Sequence, residues 1–407
     1  MEKHCVIIGA SHAAAQLSSN LRREGWQGPI TIIGEEEFLP YQRPPLSKEF
    51  LKGDKSTSDI QIFSAENYQK NAINLKLGQK VLKIDRQASE VTLSSGEVIA
   101  YDKLALCTGG RARHVDIPGV ELANIHYLRT VKDIQAIQHS LDAAKFVVIV
   151  GGGYIGLETA AVLRQLGLTV TILEMAPRVL QRVAAPEISQ FFTRLHQREG
   201  VKLLTDMSAN AFEGGAKVQY VVCSDGSRIP ADLVIIGAGI IPNVELAEEA
   251  GLAVDNGILV DEYCFTSDEN IVAIGDCSNF PSQLYQCRMR LESVANCNEQ
   301  AKIAASALCG KLKSYQALPW FWSNQYNIKL QIAGMSLGYD EVLVRGDMIN
   351  TDSFALFYLK ANRVIAADCV NRPQEFMLAK QLIIKQLEVD QSQLGDERYA
   401  PKDLMPL

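Results

Sequence analysis

Two glycine-rich turns, about 140 residues apart, carry residue types that can hold a pyrophosphate against backbone N–H groups. The first runs Val6-Ile7-Ile8-Gly9-Ala10-Ser11-His12-Ala13-Ala14. The second runs Val147-Val148-Ile149-Val150-Gly151-Gly152-Gly153-Tyr154-Ile155-Gly156-Leu157-Glu158. In the G-x-G-x-x-G pattern, the first position makes the tight bend. The second lets the backbone approach phosphate, and the third lets helix and strand pack closely. Gly151, Gly153 and Gly156 fill all three positions in the second turn. In the first turn Gly9 is followed by Ser11 and Ala14. Alanine is a permitted third residue, whereas the Ser11 Cβ intrudes where phosphate should approach. His12 either reaches a pyrophosphate oxygen or stands solvated at the helix start. One such turn suits any nucleotide-binding domain. Two of them imply two dinucleotides in one chain, and the usual reason to hold two is to pass electrons between them. That points to a flavin fed by a nicotinamide.

The elements that must position these turns are legible around them. Residues 5–8 read as a buried strand and 13–24 as a helix. A second strand, 30–33, leads to Gly34-Glu35-Glu36-Glu37. An acid at the tip of that strand accepts both ribose hydroxyls of an adenosine, and Glu35 is the candidate. Glu36 and Glu37 read as a solvated acidic loop. Around the second turn the strand is 146–150 and the helix 157–166, ended by Gly167 as a C′ residue. The next strand, 169–173, ends in Glu174, 23 residues after Gly151. A carboxylate there pairs with the ribose 2′-OH of NAD and repels the 2′-phosphate of NADP. The expectation is NADH over NADPH, softened by Arg178 and Arg182 just beyond. Gly237 and Gly239, which interrupt the apolar run 233–241, are counted with Tyr154 and Ile155 at the NAD site.

Bulk composition sets the class. A chain of 407 residues with 47% hydrophobic and 21% charged content reads as a globular protein of two to three domains. A net charge of −7 argues against a nucleic-acid partner. No apolar run is long enough to cross a bilayer, and the first residues hold no basic or apolar leader segment, so the expected location is cytoplasmic. None of the nine cysteines has C-x-x-C spacing. They read as reduced, mostly buried thiols. No Cys/His spacing suits zinc and no cluster suits iron–sulfur, so no metal is expected and the redox centre is an organic cofactor.

Five further motifs, in order along the chain, carry a family resemblance. They are Arg43-Pro44-Pro45-Leu46-Ser47-Lys48; Leu128-Arg129-Thr130; Ile274-Gly275-Asp276-Cys277; Arg290-Leu291-Glu292-Ser293-Val294-Ala295-Asn296 with Glu299-Gln300-Ala301; and Pro319-Trp320-Phe321-Trp322-Ser323-Asn324-Gln325-Tyr326. Together with the two turns they resemble the FAD- and NADH-dependent ferredoxin reductases of bacterial oxygenase systems, the putidaredoxin reductase and biphenyl-dioxygenase reductase type. These belong to the glutathione-reductase-like flavoproteins.

The resemblance implies FAD contacts from Ala13, Glu35, Lys48, Val81, Arg129, Asp276 and Val294. Arg43 and Glu292 stand in the same motifs and join the FAD set, as do Thr108, Gly109, Gly9, Ser11, His12 and Ala14. Asp276 would accept a ribityl hydroxyl, and Val294 would offer a backbone N–H at a helix start. Lys48 and Glu158 would pair near flavin N5, with Glu158 also addressing the nicotinamide carboxamide; the alternative is an ordinary ion pair at a domain boundary. Trp320 would flank the isoalloxazine, or else join Trp322 as a core aromatic. Three departures from the family pattern stand out: Ser11-His12, Cys107 before Thr108-Gly109-Gly110, and Asn324 where aspartate is usual.

Absences sharpen the expected activity. Residues 41–48 hold no cysteine, and Gln42 stands where NADH oxidases and coenzyme A disulfide reductases carry one. Electrons would therefore leave one at a time for an outside acceptor. The resemblance makes that acceptor a [2Fe-2S] ferredoxin feeding a Rieske oxygenase or P450, as in aromatic hydrocarbon catabolism. A rubredoxin reductase and an apoptosis-inducing-factor-like NADH-sensing flavoprotein are the alternatives. Arg288, Arg290, Lys302, Lys311 and Lys313 would present positive charge to an acidic ferredoxin, or form a solvated helix face. The chain would act as a monomer or weak homodimer.

The expected fold is α/β: two Rossmann-like, glutathione-reductase-like domains plus a C-terminal α+β domain. The FAD domain covers 1–114 and 242–317, the NAD domain 115–241 and the C-terminal domain 318–407. Pro118-Gly119 and Pro242-Asn243 mark the crossings.

Overall fold

The computed structural model describes residues 3–404. Its contacts group into two units. One comprises 1–42, 57–111 and 240–319; the other comprises 43–56, 112–239 and 320–407.

The first unit is built on a parallel sheet of Cys5–Ile8, Ile30–Gly34, Ile73–Leu77, Lys103–Leu106 and Ile271–Ala273. Cys5–Ile8 lies central, paired residue for residue with 30–33 and 103–106. All four of its residues are buried, which is why it reads as an unbroken apolar run rather than an alternating one. The helices His12–Glu24 and Val294–Leu308 pack together, although about 280 residues separate them in sequence. Alanines line both: Ala13 and Ala14 on one, Ala301, Ala304 and Ala305 on the other. Small side chains let the two backbones approach closely. A three-stranded antiparallel sheet, Val81–Asp85, Glu90–Leu93 and Val98–Ala100, belongs to the same unit.

The second unit repeats the parallel design with Phe146–Val150 between Thr169–Leu173 and Leu233–Ile236. Lys202–Leu204 and Ile125–Tyr127 form its edges. The helix here is Tyr154–Gln165, starting three residues before the 157 expected from sequence. Gly156 reads as turn by composition, but the helix absorbs it, because a Cβ at 156 would lie 2.1 Å from the Gly151 carbonyl oxygen. Gly167 does follow the helix at φ +86°. The C-terminal part is an antiparallel five-stranded sheet in the order Trp320–Gln325, Ile328–Gly334, Arg363–Val370, Phe354–Lys360, Glu341–Gly346. The helix Pro373–Lys385 covers it, as expected. The fold is the α/β architecture of two Rossmann-like sheets with a C-terminal α+β module.

One buried cation ties down the end of the chain. Arg345 is 2% exposed and donates to Glu375 and to the carbonyls of Leu394, Asp396 and Tyr399. Removing it leaves Glu375 and three carbonyls short of donors. Arg345→Met is expected to lose about 3–5 kcal/mol, as for other broken buried pairs. Hydrogen exchange should rise first across residues 394–404; unchanged protection there would mean the tail is held by other contacts.

Candidate functional site

In the first unit the chain leaves the strand Cys5–Ile8 at Gly9, with φ +106°. A Cβ there would lie 2.1 Å from the Cys107 carbonyl oxygen, so glycine is required twice over. Ser11 is the N-cap of His12–Glu24, makes no side-chain cap bond, and is followed by no acid in the first turn. The helix N-terminus therefore carries its partial positive charge with no acid of its own first turn beside it. His12 is the first helical residue and half-buried, while Ala13 and Ala14 are buried. Glu35 sits past the second strand with its side chain 72% exposed, 3.9 Å from Lys80. Glu36 differs from the solvated loop expected, since it accepts the Tyr41 hydroxyl at 2.5 Å.

Asn243 locks the turn after Lys103–Leu106, at the same end of the sheet as Gly9. Its side chain donates to the Thr108 carbonyl at 2.8 Å, and its own carbonyl accepts the Thr108 hydroxyl at 2.7 Å. Gly109 takes φ +61° there. Gly275, at φ +83°, donates to the buried Gln300 side chain, which presents Asp276 at the end of Ile271–Ala273. Val294 is the first residue of Val294–Leu308, half-buried rather than core, behind an N-cap Ser293 that accepts from Asn296. Glu292 pairs with Arg290 at 2.7 Å. Val81 is buried at the start of its strand. Of the residues expected around FAD, Arg43, Lys48, Arg129 and Trp320 belong to the second unit, and the others to the first.

The second turn makes the same demand on its first glycine. Gly151 has φ +118°, and a Cβ there would lie 2.4 Å from the Gly237 carbonyl oxygen. Gly153 has nothing within 4 Å of its Cβ position. The first glycine is demanded by the protein, and the second leaves open backbone for a ligand. The helix Tyr154–Gln165 again has no side-chain cap and no acid in its first turn. Tyr154 turns its ring against Phe321, centroids 5.1 Å apart, with its hydroxyl buried and unpartnered. What it offers at the turn is its backbone N–H. Ile155 is exposed. Gly237 donates to Val150 at 2.7 Å, and Gly239, at φ +97°, lies beside the Arg182 guanidinium. Glu174 accepts the Gly152 N–H at 2.7 Å and the Ala176 N–H at 2.8 Å. Its carboxylate is thus part of the turn. Arg178 is tied into its own loop by Ala184, Ser189 and Gln181, whereas Arg182 is exposed.

The second unit also holds a buried carboxylate. Glu158 is 2% exposed and lies on the helix after the NAD turn. Its Oε2 accepts Lys48 Nζ at 2.6 Å and the Ser47 hydroxyl at 2.7 Å; its Oε1 accepts the Ser323 hydroxyl at 2.7 Å. The expected Lys48–Glu158 pair is formed. Arg43 donates to the Arg129 carbonyl at 2.5 Å, and Gln138 to the Phe50 carbonyl at 2.7 Å, anchoring the segment that carries Lys48. Ser47 and Ser323 were not singled out from sequence. The signal was present for Ser323: in a strand, Ser323 and Gln325 share one face, opposite Asn324. Both are buried and Asn324 is exposed. Trp320 is half-buried, 5.5 Å from Trp322 and 6.0 Å from Phe376, with Lys380 5.8 Å from its ring.

The five basic residues do not form one patch. Arg290 pairs with Glu292, Lys302 with Glu299, and Lys311 and Lys313 with Glu24. Arg288 donates to the Val260 and Asn279 carbonyls. Lys311 and Lys313 follow the C-terminal end of Val294–Leu308, about 20 Å along that helix from the end that carries Arg290.

All nine cysteines are free. Burial pushes the Cys5 thiol up to about 12 and the Cys107 thiol up as well. Among the described residues no cluster could hold a metal, and no helix is long and apolar enough to cross a membrane.

Both turns fit a dinucleotide: a glycine whose Cβ would strike a carbonyl, and a helix start with no side-chain cap and no acid in its first turn. Comparison with known proteins agrees. Residues 3–301 match the pyridine nucleotide-disulphide oxidoreductase family, and 320–405 match the reductase C-terminal family. Putidaredoxin reductase of Pseudomonas putida is 44% identical over 98% of this chain and 96% of its own length. A ferredoxin–NAD(P)+ reductase of a Sphingomonas species is 41% identical over 98% and 97%. Among solved structures, the covalent putidaredoxin reductase–putidaredoxin complex superposes with a TM-score of 0.96 at 43% identity, covering 99% of this chain and 98% of that one. The chain belongs to the pyridine nucleotide-disulphide oxidoreductase family, whose members use FAD and a nicotinamide dinucleotide, and it carries that family's reductase C-terminal domain.

Proposed function

We propose that the chain is a ferredoxin–NAD+ reductase of an oxygenase system. The observation that carries this is the lack of any cysteine in residues 41–48, in a chain built on two dinucleotide turns. No protein thiol stands there to take electrons onward, so the acceptor is external. Full-length relatives named as ferredoxin reductases of anthranilate and p-cumate dioxygenase systems support the acceptor class. A rubredoxin–NAD+ reductase of Pseudomonas putida, 37% identical over 91% of this chain, keeps rubredoxin as the second reading.

When bound, FAD supplies the conversion of a two-electron donor, NADH, into single electrons. The protein's part is to bind, orient and exclude water. Gly9, Ser11, His12, Ala13, Ala14, Glu35, Arg43, Lys48, Val81, Thr108, Gly109, Arg129, Asp276, Glu292, Val294 and Trp320 are the residues assigned to FAD. Gly151, Gly153, Tyr154, Ile155, Gly156, Glu174, Gly237 and Gly239 would hold NADH. Glu158 has about four acceptor positions and gives three to Ser47, Lys48 and Ser323. The remaining one, on Oε1, suits a carboxamide N–H.

Arg288 and Arg290, near the start of Val294–Leu308, are the better placed of the basic residues to meet an acidic ferredoxin, because Lys311 and Lys313 sit at the far end. Nine free thiols suit a reducing, cytoplasmic compartment.

NADH oxidation with oxygen alone should be slow, and fast once a [2Fe-2S] ferredoxin and cytochrome c are added. Equally slow turnover in both, with a flavin that NADH still bleaches, would favour the NADH-sensing alternative or a rubredoxin acceptor. Glu174→Gln is expected to raise KM for NADH roughly tenfold, the size of a lost charged hydrogen bond, and to narrow the NADH/NADPH ratio of kcat/KM. An unchanged ratio would remove Glu174 from cofactor choice.

A further inference from the structure

The Glu158 carboxylate ends an unbroken chain of buried hydrogen bonds. Ser323 donates to its Oε1, and Gln325 Nε2 donates to Ser323 Oγ at 3.2 Å. Gln325 Oε1 bonds His196 Nε2 at 2.8 Å, and His196 Nδ1 meets the Tyr326 hydroxyl at 3.3 Å. Ser323, Gln325 and His196 are each at most 1% exposed. The direction of every bond is determined. Gln325 Oε1 can only accept, so His196 must carry its proton on Nε2, and its Nδ1 must accept from Tyr326. Burial holds the imidazole neutral, as this pattern requires. Gln325 Nε2 then donates to Ser323, and the hydroxyl has one proton to give, which goes to Glu158. Rotating Ser323 away would break two bonds in a dry interior, where unmade bonds are costly.

Each link comes from a different stretch of chain. Ser47 and Lys48 lie on or beside Pro44–Ser47, Glu158 is on Tyr154–Gln165, Ser323 and Gln325 are on Trp320–Gln325, and His196 is on Pro186–Arg198. The ion pair with Lys48 by itself fixes a distance. The two serines, one on each oxygen, fix the rotation of the carboxylate plane.

We propose that Ser323, held by Gln325 and His196, is a positioning residue that sets the Glu158 carboxylate so that one acceptor position on Oε1 remains for the nicotinamide carboxamide. This rests on the reading above that Glu158 addresses NADH. The charged and titratable groups facing Glu158 are Lys48, bonded to it, and the Tyr154 hydroxyl from its own helix.

The test uses the holoenzyme with 13C-carboxyl-labelled glutamate. The resonance absent from Glu158→Gln is that of Glu158. In Ser323→Ala its carboxyl 13C chemical shift should move, because the hydrogen bond to Oε1 is lost. Flavin reduction by NADH should slow roughly tenfold, and Ser323→Thr, which keeps the hydroxyl, should restore both. Gln325→Leu leaves Ser323 in place but unheld, and should shift the resonance less in the same direction. No shift in either variant overturns the proposal, whatever happens to folding stability. A shifted resonance with Glu158→Gln reducing flavin at the normal rate overturns instead the assignment of Glu158 to NADH, and with it the catalytic consequence of Ser323.

Discussion

Glu158→Ala is expected to slow reduction of bound flavin by NADH about a hundredfold, the loss that follows when a substrate is misplaced by about an ångström. FAD content should stay unchanged. The split is physical: every hydrogen bond to Glu158 comes from Ser47, Lys48 and Ser323, and none from the first glycine turn. The alanine variant also leaves Lys48 Nζ, among the described residues, with the Pro44 carbonyl at 3.2 Å as its remaining hydrogen-bond partner. Some loss of stability is therefore expected, and Glu158→Gln controls for it by keeping the volume and an acceptor. Stopped-flow reduction at saturating NADH, with flavin absorbance as the content check, separates the two effects. Normal reduction kinetics in both variants would make the Lys48–Glu158 pair an ordinary buried ion pair.

His196→Gln and Asp368→Asn are expected to tilt the stability of the protein in opposite directions with pH. Burial lowers the His196 imidazole from 6.5 to about 4 and raises the Asp368 carboxyl from 3.8 to about 7, with the Tyr358 hydroxyl donating to it at 2.5 Å. The folded protein binds fewer protons at His196 than the unfolded chain does. Its contribution is therefore full above pH 6.5 and is lost as pH falls towards 4, about 3 kcal/mol in all. At Asp368 the folded protein binds more protons. That contribution is full below pH 3.8 and is lost as pH rises to 7, about 4 kcal/mol. Over pH 4 to 6.5 the two nearly cancel in the native chain. Asp368→Asn exposes the histidine, so stability should fall steeply on acidification from 6.5 to 4. His196→Gln exposes the aspartate, so stability should fall as pH rises from 4 to 7. Denaturant midpoints at half-unit pH steps measure both slopes. Parallel curves for the two variants would show that neither group is held away from its ordinary pKa.

The departures between sequence reading and structure have specific causes. The helix after the second turn begins at Tyr154 rather than 157, because Gly156 is selected by its approach to the Gly151 carbonyl and not by helix propensity. Glu36 leaves the solvent because Tyr41, five residues on, folds back to donate to it. Arg178 is consumed by its own loop, which no count of charges beyond Glu174 could reveal. The basic residues from 288 to 313 are close in number but spread from before the start of a 15-residue helix to beyond its end, each beside its own acid or carbonyl. His196, Gln325, Asp368 and Tyr358 are chemically ordinary letters in the sequence. Their significance is burial and pairing across 129 residues in one case and 10 in the other.

The sequence by itself determined both glycine turns, the strands and helices that flank them, and the absence of a cysteine pair beside the flavin motif; the pairing of Lys48 with Glu158 came from the family resemblance. These are set by local geometry, where a positive φ or a missing Cβ leaves a mark in the residue type, or by motifs short enough to be read directly. Only the tertiary structure decided that Glu158 carries three donors rather than one, that a neutral histidine stands behind them, and that two opposed buried acids and bases share one unit. Those depend on which side chains burial brings together from distant stretches of chain, and a polar residue at a single position does not record the partner it will meet.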